Sequence, residues 1–360
     1  MWIGKLDRYI IGKFIGTYVY SIVLIISIAV VFDLTDRIDN FIDKQVPIKA
    51  VFFDYYLNFI PYFANLFSAL FTFIAVIYFT SRMANQTEII AILSSGVSFY
   101  RLTRPYLISA LLIAMLSFSL NAWVIPYANK DRYDFQEKYM DRPYRNYDRN
   151  IHRQIEPGVY IYMESYNTSN RIAYKFSIEQ FENKKLVSKL LADYARYNEE
   201  SRLWEVNNYT IRTIEGDKET LITGQRIDTV INISPADFNY RNSIVETMTS
   251  PELDAFIENQ RMHGVTQIES YLIEKHRRWS DPFSTFILTL IGLALASRKV
   301  KGGSGLHIGI GLMLSFTYIL FMRISSQFAV KGNLDPMLAS WLPNILYSLI
   351  AAYTYWKAPK

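Results

Sequence analysis

The sequence predicts an α-helical polytopic membrane protein with six transmembrane helices and an inserted all-β, jelly-roll-like domain. Three observations predict it. Uncharged runs occupy Phe14 to Phe32, Tyr55 to Ser81, Pro105 to Asn129, Pro282 to Ser297, Gly302 to Met322 and Pro336 to Trp356, most of them near the roughly 20 residues a helix needs to cross a bilayer. An uninterrupted polar segment of about 150 residues separates the third run from the fourth. Lys and Arg are also unevenly shared between alternate short loops. With the N-terminus inside, one side holds Lys5, Arg8, Lys13, Arg82, Arg101, Arg104, Arg298, Lys299, Lys301, Lys357 and Lys360, and the other only Arg37, Lys44, Lys49 and Lys331. Eleven against four places both termini in the cytoplasm and the large domain outside.

Composition excludes several classes. The chain of 360 residues is 51% hydrophobic and 16% aromatic with 20% charged residues, and clustering of the apolar residues rules out a soluble globular protein. It has no cysteine, which excludes a disulfide scaffold, Cys-ligated zinc or iron–sulfur sites and cysteine nucleophiles. The formal charge of +5 is dispersed at the borders of the apolar runs, so no nucleic-acid partner is expected.

Taken in order, the first run follows Lys5, Arg8 and Lys13 like a signal peptide. No small-residue cleavage site follows it, and the acidic stretch Asp33 to Asp43 comes next, so it reads as a retained span. Residues 1–129 hold spans one to three with a short cytoplasmic helix near 85–96, and 130–250 form the β domain. There Val159 to Met163, Ala173 to Glu182, Lys184 to Tyr197, Trp204 to Ile214 and Thr220 to Ile233 are rich in Val, Ile, Tyr and Thr between turn residues. Such spacing predicts an antiparallel sandwich or open jelly roll. Residues 251–280 are a helical connector opened by Ser250 to Glu252 and interrupted at His263-Gly264. Spans four to six fill 281–360, with Gly302-Gly303-Ser304-Gly305 as a flexible cytoplasmic hairpin.

Catalytic signatures are missing. There is no phosphate loop, GxSxG elbow or HExxH helix, and the four His, at 152, 263, 276 and 307, have no ligand spacing. No catalytic residue, metal or cofactor is expected. The segment Asn85 to Gly96 says more. Asn85 is expected to cap a helix of about ten residues with Glu88 at its third position, and Gly96 to end it in a left-handed conformation. Ile89, Ile92 and Leu93 make one apolar face, while Glu88, Ala91 and Ser95 form a narrow strip. Two readings share this pattern: an interfacial helix with a solvated Glu, and a helix that docks into a partner's groove.

The opening Lys5-Leu6-Asp7-Arg8-Tyr9-Ile10-Ile11-Gly12-Lys13, the loop with Glu88, Ser95-Gly96 and Ser98, the exit Trp123-Val124-Ile125-Pro126 from span three, and Glu274-Lys275-His276-Arg277-Arg278-Trp279 with Pro282 resemble the LptF/LptG lipopolysaccharide export permeases. The opening is closer to LptG than to LptF, and the resemblance covers the entire chain. It implies a permease subunit of an ATP-binding-cassette exporter of the inner membrane, paired with an LptF-like permease. It further implies an LptB-like ATPase dimer inside, an LptC-like bitopic protein alongside, and an LptA-like periplasmic bridge that receives lipopolysaccharide through the jelly-roll domains. The helix with Glu88, Ile89, Ile92 and Leu93 would then be the ATPase-coupling helix. Hydrolysis would belong to the separate ATPase.

A multi-chain phosphorylated glycolipid needs an apolar cavity and basic groups at headgroup height. Candidates for the cavity are Phe59, Phe63, Phe67, Phe71, Leu312, Phe316 and Leu320, though packing between spans explains each as well. Headgroup candidates are Arg37, Lys130, Arg132, Arg277, Arg278 and Arg323, which ordinary anionic lipid or water would equally satisfy. Arg323, near the outer end of an otherwise uncharged span, is expected to find water, a phosphate or an acid such as Asp33 or Asp36. The chain departs from the LptG pattern where a basic residue is usual near the end of span one, since Asp33, Asp36 and Asp39 surround Arg37. Two other classes compete: a membrane-embedded lipid-modifying enzyme using carboxylates such as Asp33 and Asp36, and a non-transporting scaffold that displays the β domain.

Overall fold

The computed structural model describes residues 4–140, 149–216, 218–238, 242–262, 268–298 and 304–358. It forms two compact units, one comprising Met1–Met140, Glu246–Ser250 and Glu269–Lys360, the other Asp141–Val245 and Pro251–Ile268.

The first unit is helical. α1 (Lys5–Asp43) is 39 residues long and, besides Asp7 and Phe41 near its ends, buries only a narrow stripe, Ile10, Phe14, Tyr18 and Ile22, spaced four apart. Tyr20, Val23, Val31 and Phe32 on its other faces are exposed, as expected of a helix whose solvent is lipid rather than water. α2 (Ile48–Leu66) contains a π-helical stretch at Val51–Tyr56 and Pro61, and meets α3 (Ser68–Asn85) at a bend of 60°. At the joint, Phe67 has φ −95° and ψ 0°, in the sparsely populated bridge region. α4 (Glu88–Ser94) is short. α5 (Phe99–Tyr139) starts on a Ser98 cap, whose hydroxyl accepts from the Arg101 backbone N–H, and carries a second π-helical stretch at Leu120–Val124. α6 (Ser250–Met262) precedes α7 (Ile268–Ala296), α8 (Ser304–Val330) and α9 (Pro336–Trp356).

Among the described residues, α1, α5, α7 and the Gly309–Val330 part of α8 are long and apolar enough to cross a membrane, and the bent pair α2 and α3 makes a fifth candidate. α9 adds 21 residues without a charge. Two apolar clusters hold these helices together: Ile10, Phe14, Phe79, Met83, Leu102 and Tyr106 join α1, α3 and α5, and Phe73, Ile77, Leu288, Ile291, Tyr318 and Tyr347 join α3, α7, α8 and α9. At Gly292 the helices approach closely enough that an added Cβ would lie 2.9 Å from Val76 Cγ1. Asn344, buried between α7 and α8, is cross-bonded, accepting from the Tyr318 hydroxyl at 2.9 Å and donating to the Ser280 carbonyl at 2.8 Å.

The second unit holds one six-stranded antiparallel sheet, β1 (Arg149–Glu156), β2 (Val159–Asn167), β3 (Ile172–Glu182), β4 (Lys185–Asn198), β5 (Leu203–Glu215) and β6 (Lys218–Thr229), ordered as in the sequence. The all-β expectation therefore takes a simpler form, an up-and-down meander. β1 was not anticipated, because only Ile151 and Ile155 break its polar run. The expected helix interruption at His263-Gly264 and residues 302 and 303 of the expected hairpin lie outside the described residues, whereas Ser304 and Gly305 open α8 rather than belonging to a hairpin.

One sheet face is apolar, with Ile161, Met163, Tyr166, Ala173, Phe176, Ala195, Trp204 and Val206 buried beneath Ile231, Ile233 and Phe238. Strict alternation would place same-face residues two apart. Here Met163 and Tyr166, Ala173 and Phe176, Ala192 and Ala195, and Val206 and Tyr209 share that face three apart. One additional residue per strand, namely Glu164, Lys175, Asp193 and Asn208, resets the alternation. Strand pairing steps over these positions, for instance from Tyr174↔Tyr194 to Phe176↔Ala192 and from Ala192↔Tyr209 to Tyr194↔Asn207. The same line reaches Asn150 on β1 and Gln225 on β6. A polar crease thus crosses all six strands, and on β1, β3 and β5 it is left-handed, Asn150, Lys175 and Asn208 having φ of 54°, 47° and 52°.

Candidate functional site

The side chains singled out by sequence gather at two ends of the helical unit. At the first end, Asp7 receives both guanidinium nitrogens of Arg101, at 2.5 and 2.6 Å, and the Gly4 N–H at 2.9 Å. This bidentate pair ties the start of α1 to the start of α5. Thr103 and Tyr355 share a hydroxyl hydrogen bond of 3.0 Å, and Arg298 donates to the Lys357 carbonyl. The beginnings of α1 and α5 and the ends of α7 and α9 thus lie together.

α4 sits at this end. It spans seven residues, Glu88–Ser94, rather than about ten. Asn85 is not its cap: that residue belongs to the last turn of α3, and Thr87, at φ 58°, occupies the cap position. A left-handed Thr87 turns the chain sharply out of α3, which shortens the helix from its front. Gly96 ends it at φ 87°, its N–H bonded to the Leu93 carbonyl at 3.1 Å. Glu88 accepts from the Tyr9 hydroxyl at 2.8 Å and lies 3.8 Å from Lys13 Nζ, while that ammonium sits 4.6 Å from the Tyr9 ring centroid. Ile89 is 1% exposed, and Ile92 and Leu93 pack on the same α1, α3 and α5 cluster. The apolar face read from sequence therefore faces the chain's own core. Ile90, 50% exposed, with Ala91 and Ser94 forms the open face.

At the second end, Arg37 bonds Asp33 at 2.9 Å with Tyr55 and Tyr56 donating to the same carboxylate, at 3.1 and 3.3 Å. Asp33 is thereby engaged by α1 and α2, and Asp36 is exposed. Arg323 is exposed on α8, while Asp33 is taken up by Arg37, Tyr55 and Tyr56. Arg277 pairs with Glu274 at 3.0 Å and Asp281 at 3.6 Å, and Arg278 bonds Glu274 at 3.3 Å and the Ser250 hydroxyl at 3.5 Å. Arg132, 5% exposed, lies 4.5 Å from the Tyr62 ring centroid and 5.0 Å from that of Tyr133, its Nε without a hydrogen-bond partner. Glu246 accepts from the Tyr133 hydroxyl at 2.8 Å. Burial, reinforced by the charge of Glu274, holds the Glu246 carboxyl above its ordinary value. Lys130 is exposed.

Sequence reasoning named the cations, and Asp33 beside Arg37, but not the acids that meet Arg277 and Arg278. Glu274 and Asp281 were legible as helical neighbours of Arg277 at i−3 and i+4. Glu246 was not, since it comes from a separate segment.

Phe59, Phe63, Phe67 and Phe71 form a continuous aromatic ladder along α2 and α3, with successive centroids 3.9, 6.3 and 6.5 Å apart. Phe63 joins a cluster with Phe41, Tyr55 and Phe135, and Phe71 joins the core of α1, α3 and α5. Leu312, Phe316 and Leu320 behave differently, forming an exposed stripe four residues apart on α8. Among the described residues there is no group of three His, Asp or Glu able to hold a metal ion.

No curated protein matches the chain by sequence. The family model for the lipopolysaccharide export system permease LptF/LptG matches residues 8–357. That match takes in Tyr9, Lys13, Glu88 and Arg101 at the first end, the Arg132 and Arg277 cluster at the second, and the β sheet between them in sequence. The chain belongs to the LptF/LptG family of lipopolysaccharide export permeases.

Proposed function

We propose that this chain is the LptG-type subunit of an ATP-driven exporter, spanning the inner membrane six times with both termini cytoplasmic and residues 130–250 periplasmic. The single observation that carries the reading is the family match over residues 8–357, and α4 supports its mechanical part. A chain without a nucleotide-binding motif must receive work from elsewhere. α4 is fastened to α1 through Glu88, Tyr9 and Lys13 and to the core through Ile89, so force applied at its open face is passed to α1, α3 and α5. Glu88, Ile89, Ile92 and Leu93 serve as the anchor, and Ile90, Ala91 and Ser94 meet the LptB-like ATPase dimer. An LptF-like permease, an LptC-like bitopic protein and an LptA-like bridge complete the path.

Substrate tails face the apolar stripe Leu312, Phe316 and Leu320 and the ladder Phe63, Phe67 and Phe71. Its headgroup meets exposed Lys130 and Arg323 first, since Arg277 and Arg278 are already neutralised by Glu274 and Asp281. Arg132 and Arg37 stand behind them. Purification from the native membrane tests the reading: a soluble ATPase is expected to accompany the chain, with a hydrolysis rate that responds to added lipopolysaccharide. A chain that purifies alone, or an ATPase indifferent to the lipid, rejects it.

A further inference from the structure

The crease of the β sheet opens onto a cavity of about 650 Å³ on the face opposite the apolar core. Tyr160 and Tyr162 line one wall with His152, whose ring centroid lies 4.8 Å from that of Tyr162. Ser177 lies buried at its floor, and Asp193 and Asn208 line the crease side. We propose that this cavity binds a neutral saccharide unit, with the tyrosine wall against the apolar C–H face of the sugar and the Asp193–Asn208 pair on its hydroxyl edge.

The chemistry of the walls selects this ligand. An acyl chain would strip water from Ser177, Glu179, Asp193 and Asn208 without replacing their hydrogen bonds. A phosphate would find both lysines occupied, Lys175 by Glu164 at 2.6 Å and Lys189 by Glu179 at 2.7 Å, beside a further carboxylate. A peptide strand would add to a sheet edge and not to its face. A sugar ring combines an apolar face with neighbouring hydroxyls that both donate and accept. Asp193 supplies acceptors, and Asn208, which donates to Asp193 at 2.9 Å, holds an amide carbonyl beside them. Tyr160, 41% exposed, offers its ring to the cavity mouth.

Backbone geometry gives a second, independent indication. Lysine seldom takes a left-handed conformation, yet Lys175 holds φ 47° in the middle of β3, aligned with Asn208 at φ 52° on β5. Such strain gathers where a site must be shaped in advance. Lys175 and Asn208, with Asp193 between them on β4, line the cavity in successive strands. The proposal deepens the permease reading and rests on it for the source of the sugar, which is the saccharide portion of the exported lipid.

The test is binding alone, without the ATPase, so it is distinct from any failure of export. The full chain in phosphatidylcholine nanodiscs is titrated with core oligosaccharide released from lipopolysaccharide by mild acid and then dephosphorylated, and read by saturation-transfer NMR. Asn208→Gly removes the amide while permitting the left-handed backbone, and Tyr160→Ala alters only the exposed wall. Each is expected to weaken binding at least about tenfold with an unchanged melting temperature, corresponding to loss of one well-formed contact. Equal affinity in wild type and both variants, no binding at millimolar oligosaccharide, or displacement by inorganic phosphate overturns the proposal.

Discussion

Glu88 is held by a tyrosine hydroxyl and a lysine on α1 rather than standing free in water. Because both partners are partly exposed, the pair contributes little to stability, about 1 kcal/mol or less. Glu88→Lys is therefore expected to leave the detergent-solubilised chain folded while it loosens α4 from α1 and uncouples ATP hydrolysis from lipid release. Ile90→Ser acts on the open face instead. It should reduce ATPase co-purification with no change in melting temperature, and unchanged co-purification for both variants would remove α4 from the coupling path. Glu246 gives a pH signature. Its carboxyl is raised in the folded state by burial and then by Glu274, so its favourable contribution is fully present below the ordinary carboxylate value and is lost as pH rises through the raised one. Glu246→Gln keeps an acceptor for Tyr133 and cannot ionise. Melting temperatures of wild type and variant should diverge in favour of the variant as pH rises above the ordinary carboxylate value, while parallel curves would show that the proton stays at its ordinary value.

At the scale of elements, helix contacts are decided by very small residues. Gly292 on α7 faces Val76 and Phe73 on α3, and a methyl there would stand 2.9 Å from Val76 Cγ1 and 3.1 Å from Phe73 Cδ2. Both neighbours are fully buried and have no free direction in which to move. Gly292→Ala is expected to destabilise the helical unit by about 1–3 kcal/mol through overpacking, read as a lower melting temperature in detergent. A wild-type melting temperature would mean that α3 and α7 separate more easily than their packing implies. In the β sheet the reset alternation explains how one face stays apolar across strands of up to 14 residues. Sequence periodicity located β2 to β6 and not their crease, because an added polar residue such as Asp193 or Asn208 reads locally as an interruption.

For the whole molecule, the arrangement of ends bears on topology. The starts of α1 and α5 and the ends of α7 and α9 meet through Asp7–Arg101, Thr103–Tyr355 and Arg298–Lys357, as required if both termini lie on one side. The absence of cysteine makes a direct test clean. Single substitutions Ser201→Cys and Ser94→Cys, probed with a membrane-impermeant thiol reagent in intact spheroplasts, should label the former and spare the latter. The opposite pattern would invert the orientation drawn from the Lys and Arg asymmetry.

Sequence by itself determined the membrane character, a β-rich insert with five of its six strands, the family resemblance and the presence of a short helix ended by Gly96. These follow from local quantities: the length of an uncharged run, a period of two, a residue suited to φ > 0. Only the tertiary structure decided which way each face turns. Ile89, Ile92 and Leu93 are apolar whether they meet a partner or the chain's own core, and packing against Met83, Leu102 and Tyr106 chose the core. Arg277 and Arg278 looked available for a headgroup until Glu274 and Asp281 were seen to neutralise them. The crease likewise exists only when Asn150, Glu164, Lys175, Asp193, Asn208 and Gln225, distant in sequence, are set side by side by strand register. A side chain's chemistry is local, but its availability depends on what the fold brings against it.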